Sequence, residues 1–227
     1  MTQYVIATTK SWNIENSRKL MEEFPDDQFC LITEKEELTV ERLKELNPRY
    51  VFFPHWSWMI PKEIYEAYEC IVFHMTDLPF GRGGSPLQNL IVRGIYDTKI
   101  SAIRVEKGAD TGPVYLKREM DISTGNAEEI LSRISSIVFD QMIPEFINGN
   151  LVPRAQEGEI VTFKRRTPEQ SEIPDGLSPR QIYDYIRMLD GEGYPTAYKD
   201  MGDVRIYFKN AQLNNDSVSA QAEVMRR

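Results

Sequence analysis

Short apolar runs recur through the first part of the chain, at Tyr4 to Thr8, Phe29 to Thr33, Tyr50 to Phe53 and Ile71 to His74, with stretches of helical periodicity between them. The segment from Asn13 to Phe24 carries Ile14, Leu20, Met21 and Phe24 at roughly helical spacing, and Thr39 to Leu46 carries Val40, Leu43 and Leu46. Pro61 opens another helix, because proline suits a first helical turn, and one more begins near Ser85-Pro86 and runs through Leu87, Leu90 and Ile91. Strands separated by whole helices cannot be joined by tight turns, so neighbours run parallel and helices cover both faces of the sheet. The spacing predicts an α/β fold with a mostly parallel sheet.

The pattern then changes. Lys99 to Val105 and Pro113 to Met120 read as strands joined by the turn EKGADTG, which makes a hairpin the economical reading. Ala127 to Ile147 reads as one long helix with Ile130, Leu131, Ile134, Ile137, Val138, Met142 and Phe146 along one side. From Gly149 the sequence turns polar and proline-containing. Residues 1–150 are therefore expected to form the main domain, and 151–227 a linker with a small α+β subdomain. That subdomain reads as a helix from Pro179 to Leu189, a GEGYP turn and the strand VRIYF; the polar end from about Gln212 is expected to fray.

Charge excludes some partners at this level. A net charge of −8 and a pI near 5.0 leave no broad basic field for a phosphate backbone, so no nucleic acid is expected. Cys30 and Cys70 lie in apolar strand-like runs and read as buried thiols rather than a disulfide or metal pair, which fits a reducing cytoplasm. No charged leader precedes the first strand and no run reaches membrane-spanning length, which points to a cytoplasmic protein without a membrane partner.

One stretch stands apart, FHMTDLPFGRGGSP at residues 73–86. It sets His74 at the carboxyl end of a strand, where ligands gather in open α/β sheets, ahead of a glycine-rich loop that leads into a helix. A core histidine satisfied by a backbone carbonyl has the same pattern, and GRGGS lacks the lysine of a phosphate-binding loop. Asp110, taken alone, is an ordinary turn residue.

Taken together, HMTDLPFGRGGSP, WSWMIPKEI and GADTG resemble the 10-formyltetrahydrofolate-dependent formyltransferase family, closely over residues 50–122 and loosely elsewhere. The resemblance implies a Rossmann-like core and an N-formyltransferase. The family motif Asn-x-His-x-Ser-x-Leu-Pro, with its glycine loop and proline, falls on His74, Thr76, Leu78, Pro79, Gly83 and Pro86, and the Asp-x-Gly motif on Asp110 and Gly112. His74 and Asp110 are thereby implied as catalytic. Trp58, Met59, Ile60, Ala109 and Asp110 are implied as contacts to the folate, and Thr76, Arg82, Gly83 and Asn13 as contacts to the acceptor. No metal is implied.

The chemistry explains the residue types. An amine attacks the formyl carbon of the folate, negative charge gathers on oxygen and positive charge on nitrogen; an imidazolium can bond the first while a carboxylate holds the ring and takes the amine proton. One family residue is missing, since the asparagine two places before the histidine is Val72. Loss of one such donor costs on the order of 100- to 1000-fold in turnover, so Asn13, Thr76, Asn89 and His55 are candidate stand-ins. A helix N-cap is the other reading of Asn13.

For the acceptor, acidity and the short region after the core favour a small amine over tRNA. FKRRTPEQSEI and YDYIRMLDGEGYPTAY resemble the region after the core in sugar N-formyltransferases of the pseudaminic-acid and related amino-sugar group. An amino-deoxy sugar on a nucleotide, destined for surface glycans, is the expected substrate, with Lys164, Arg165, Arg166 and Arg187 near its phosphates. The alternatives are an enzyme like methionyl-tRNA formyltransferase and a non-catalytic folate- or nucleotide-binding module; a homodimer is left open.

Overall fold

The computed structural model describes residues 1–227. The elements run β1 (Gln3–Ala7), α1 (Ser11–Glu23), β2 (Gln28–Ile32), α2 (Val40–Leu46), β3 (Tyr50–Phe53), α3 (Lys62–Tyr65), β4 (Cys70–His74), β5 (Phe80–Gly83), α4 (Pro86–Ile91), β6 (Asp97–Arg104) and β7 (Val114–Asp121). There follow α5 (Ala127–Ile137), a π-helical turn at Val138–Met142, α6 (Ile143–Asn148), β8 (Val161–Phe163), α7 (Pro179–Arg187), β9 (Ala197–Met201), β10 (Val204–Asn214) and β11 (Ser217–Arg226). They form two compact units that alternate along the chain: residues 1–82, 99–120 and 132–161 in the first, 83–98, 121–131 and 162–227 in the second. A single boundary at 150 does not describe this division, because β6, β7 and α5 each begin in one unit and end in the other.

The first unit holds the main sheet, in the order β2-β1-β3-β4-β6-β7. β2, β1, β3 and β4 run parallel and β6 antiparallel to β4, with His74 opposite Ser101. Alternation along the strands sends side chains to two faces. Val5, Ala7, Val51 and Phe53 join Leu43 of α2, Ile64 of α3 and Cys70 in one apolar cluster. Tyr50 and Phe52 meet Phe146 of α6, with ring centroids 5.4 and 5.5 Å apart. Helices thus cover both faces, as the periodicity predicts, and truncating fully buried Phe146 to alanine would cost roughly 3–5 kcal/mol.

In the second unit β10 pairs antiparallel with both β9 and β11, and α7 packs across β10 and β11. Ser178 starts α7 with a capping box: its Oγ accepts from the Gln181 amide at 3.3 Å and its own amide donates to Gln181 Oε1 at 3.0 Å.

Three sequence expectations are corrected. The long helix breaks into a π turn just before Pro144, which has no N–H to give and crowds the carbonyl one turn back. The glycine-rich loop and the polar linker contain strands that pair with each other, β5 with β8. The polar end does not fray: Ser217 to Arg226 pairs with β10 along its length, so backbone hydrogen bonds supply the order that side-chain burial does not. No helix is long and apolar enough to cross a membrane. Cys30 and Cys70 are free, and burial with the nearby Glu69 pushes the Cys70 thiol up to about 12.

Candidate functional site

His74 ends β4 and is held from two sides. Its Nε2 lies 2.8 Å from the Gly81 carbonyl, and its Nδ1 lies 3.5 Å from Asp110 Oδ1. Both groups are accessible without being loose, with the His74 side chain 10% and the Asp110 side chain 20% exposed. Thr76 is fully buried and donates from Oγ1 to the same Gly81 carbonyl at 3.3 Å, while its own carbonyl accepts from Ser101 Oγ at 2.7 Å. The loop after β4 is therefore pinned through Thr76 and Ser101, and Gly81 is brought back over the histidine.

Asp110 comes from the turn between β6 and β7, neighbours in the sheet as the hairpin reading expects. Its φ is 53°, a left-handed conformation that aspartate tolerates better than most residues. Gly112 has no freedom to change, since a Cβ there would stand 1.8 Å from the Arg104 carbonyl oxygen. Ala109, beside Asp110, is exposed.

On the strand face shared by His74 and Val72, the family's asparagine position is apolar. Val72 packs against the cluster that also receives Trp56, Ile60 and Val105. Trp58 stacks edge-on against Trp56 at 4.9 Å and is partly exposed, Met59 is 86% exposed, and the buried Trp56 Nε1 has no hydrogen-bond partner. An orphaned indole donor beside open apolar side chains fits a flat heterocycle with a hydrogen-bonding edge.

Three of the four proposed stand-ins for the asparagine are engaged elsewhere. Asn13 is not the N-cap of α1, a place taken by Lys10; its buried amide donates to Thr8 Oγ1 at 2.9 Å and the Pro54 carbonyl at 3.1 Å, tying the ends of β1 and β3 to the helix. His55, at φ 57°, meets the Trp12 ring edge-on, and burial with Lys10 nearby holds it neutral, down to about 4. Asn89, in the second unit, spends its amide on the carbonyls of Gly84, Ser85 and Lys164. Thr76 remains, sharing an acceptor with His74.

Arg82 is in contact with a residue that the sequence reading missed. Gln156 Oε1 accepts from Arg82 Nε at 3.0 Å and Nη2 at 2.7 Å, and Gln156 Nε2 donates to the carbonyls of Asp110 at 2.8 Å and Gly112 at 2.7 Å. Nothing in the polar stretch around Gln156 signals this, because the partners are more than forty positions away. Gly83 ends β5, and a Cβ on it would stand 2.5 Å from the Phe163 carbonyl oxygen, so backbone approach explains the glycine.

Within the second unit, Arg93, Lys164 and Arg166 line a cavity of about 570 Å³ with Asn89 and Gln170. Arg187 does not join them, being 1% exposed and bonded to Asp184 Oδ1 at 2.6 Å; it is a buried structural cation rather than a phosphate ligand.

The family model for formyl transferases matches residues 14–145, and that for the C-terminal domain of methionyl-tRNA formyltransferase matches residues 168–225. The methionyl-tRNA formyltransferase of Thermodesulfovibrio yellowstonii is 30% identical over 178 residues, covering 76% of this chain and 57% of that protein; the Rickettsia felis enzyme is 28% identical over 188 residues, covering 81% and 61%. The chain thus spans about half to three-fifths of the length of these curated relatives. The solved structure of a methionyl-tRNA formyltransferase from Clostridium thermocellum is 54% identical, covers 100% of both chains and superposes with a TM-score of 0.96. A Shewanella sugar N-formyltransferase shares the fold at 16% identity, with a TM-score of 0.73 over 95% of this chain and 100% of that one.

These similarities overturn the sugar acceptor and the exclusion of nucleic acid. The sugar enzymes match in fold alone, while the C-terminal model and the full-length match both belong to tRNA enzymes. The charge argument failed because a net charge of −8 sums over the surface and says nothing of where the 27 lysines and arginines stand. The length argument failed because residues 168–225, short as the region is, match the family model of that C-terminal domain.

Proposed function

Because the chain belongs to the formyl transferase family, we propose that it moves a formyl group from 10-formyltetrahydrofolate to the amino group of an aminoacylated tRNA, methionyl-tRNA being the substrate named for its relatives. The observation that carries this reading is the 54% identity, over the whole of both chains, to an enzyme named for that substrate. The reacting side chains lie within residues 1–150, while residues 151–227, which contribute to both units, supply the linker and the small C-terminal subdomain.

The folate supplies the formyl carbon; the protein supplies charge and position. His74 donates to the formyl oxygen as negative charge gathers there, and Asp110 orients the ring, receives the proton that the amine loses and passes it to the folate nitrogen as the bond from that nitrogen to the formyl carbon breaks, releasing tetrahydrofolate. Their 3.5 Å separation is long for a hydrogen bond, and in the proposed reaction the contact tightens when substrates arrive. Trp58, Met59 and Ile60 form the folate wall, with Ala109 and Asp110 at its edge. On the acceptor side Arg82 acts from β5, while Thr76, Asn13 and Gly83 fix the backbone around it. Arg93, Lys164 and Arg166 offer a local basic patch, all that an acidic protein needs to meet a phosphate backbone.

Incubation with 10-formyltetrahydrofolate and methionyl-tRNA, followed by mass analysis of the released amino acid, is expected to find N-formylmethionine. The rate should fall as pH drops below about 7.7, where an α-amino group becomes protonated and stops attacking. Transfer to an amino-sugar nucleotide with none to methionyl-tRNA, or transfer to no amine at all, would overturn the proposal.

A further inference from the structure

The stretch before β8 reads as a linker, yet its backbone and side chains are stitched to the part of the first unit that carries the site. Arg154 forms a two-way bridge with Val114 on β7, its amide donating at 2.8 Å and its carbonyl accepting at 2.7 Å, and the Val161 amide donates to the Pro79 carbonyl at 3.3 Å. Between these anchors stands Gln156. We infer that Gln156, backed by Arg82, is a positioning residue that holds the Asp110 turn in register with His74; this rests on the catalytic roles proposed above.

The hydrogen-bond inventory supports a dedicated role. A glutamine amide offers two N–H donors and one carbonyl oxygen, and here the donors meet two carbonyls while the oxygen meets two guanidinium N–H groups. A flipped amide would set oxygen against two carbonyl oxygens and NH₂ against a cation, so one orientation alone satisfies the site. The two carbonyls it grips flank Thr111, one on the left-handed Asp110 and the other on the immovable Gly112. Residues 106–109 of the turn are exposed, and the Thr111 hydroxyl bonds only back within the turn, to the Lys107 carbonyl at 3.1 Å. Gln156 therefore links the turn to a strand outside it, through Arg82 on β5. Small displacements of a catalytic group are expensive, about 100-fold in rate for a shift of about 1 Å, which is the scale of movement that a lost two-point grip permits.

The test compares Gln156→Ala, Gln156→Glu and Asp110→Asn singly and in combination, in formyl transfer and in backbone hydrogen exchange of residues 108–112. Gln156→Ala is expected to lower kcat roughly 30-fold with KM for both substrates within a few-fold, and to speed exchange in the turn. Gln156→Glu keeps an acceptor for Arg82 but offers no donor, so it should not rescue. In the Asp110→Asn background, Gln156→Ala should change kcat by less than about 3-fold, because a residue acting through Asp110 has nothing left to position. Unchanged kcat and unchanged exchange in Gln156→Ala, with an active parent, would overturn the inference and leave the functional reading intact; so would a full multiplicative loss in the double variant. A parent that transfers no formyl group, with faster turn exchange in Gln156→Ala, would support the grip on the turn and remove the reaction it is proposed to serve.

Discussion

Each unit contains an aspartate facing a basic side chain, and the two centres differ in nearly every physical respect. In the first unit Asp110 stands 3.5 Å from a histidine, on a left-handed turn, partly exposed. In the second, Asp184 is 5% exposed and accepts from Arg187 Nε at 2.6 Å, Arg180 Nε at 2.9 Å and the Tyr96 hydroxyl at 2.5 Å. Around it Arg187 also bonds the Gly125 carbonyl and Arg180 the Ser123 carbonyl, and the guanidiniums lie over the rings of Tyr96 and Tyr183. Asp184 lies within 2.9 Å of each of its three partners and is almost fully buried, whereas Asp110 meets His74 at 3.5 Å and is 20% exposed. A carboxylate enclosed at short range among cations builds a fold; one near the surface at the end of a sheet is within reach of a substrate.

Exchanging the carboxylate for an amide at each centre should separate these roles. Asp110→Asn is expected to lower kcat/KM for formyl transfer on the order of 1000-fold or more, as is His74→Gln, with melting temperatures within a few degrees of the parent. Asp184→Asn should do the reverse, costing roughly 3–5 kcal/mol in a denaturant titration by leaving Arg187 buried beside a neutral group, while activity per folded molecule stays near that of the parent. If Asp110→Asn unfolds the protein, or Asp184→Asn abolishes turnover in folded molecules, the contrast breaks.

His55 sharpens it with a third case, an ionisable group buried with no carboxylate at all. Its folded value, about 4, is depressed below the usual 6.5 by burial and by Lys10, so the unfolded chain binds the proton more readily. That stability is present above pH 6.5 and is lost as pH falls toward 4, by up to about 3 kcal/mol. His55→Asn, which keeps a residue tolerant of positive φ, should flatten the slope of unfolding free energy between those pH values; an unchanged slope would show that other groups set it. The smallest effect is expected at Ser219 on β11, exposed and engaged through its backbone ladder with Gln212. Ser219→Thr should shift stability by no more than about 0.5 kcal/mol.

The sequence made the first four strands readable because Val5, Ile32, Val51, Phe53 and Ile71 are apolar in runs bounded by helical periodicity, a signal set by burial. β5, β8 and β11 were hidden for other reasons, since FGRG and VTF are too short to show a period and SVSAQAEVMR is exposed along nearly its whole length, held by backbone pairing. His74 and Asp110 were legible because a motif preserves both the residue types and their order along the chain. Gln156 was not, since a lone glutamine between Ala155 and Glu157 acquires meaning only from carbonyls that the fold brings to it. The acceptor was misread through bulk charge, a scalar where recognition depends on placement.

The alternation of the two units along the chain has a consequence for the order of synthesis. As the polypeptide emerges from its N-terminus, β1 to β4 and His74 are made first, and Asp110 follows. The first unit is complete only at residue 161, after the chain has twice contributed to the second. Gln156 and the Arg154 bridge belong to that last instalment, so a nascent chain that already contains both members of the His74–Asp110 pair still lacks the grip on its turn. If Gln156 positions the turn as inferred, the pair is synthesised early and the residue that sets its geometry late, a few residues before the first unit is complete.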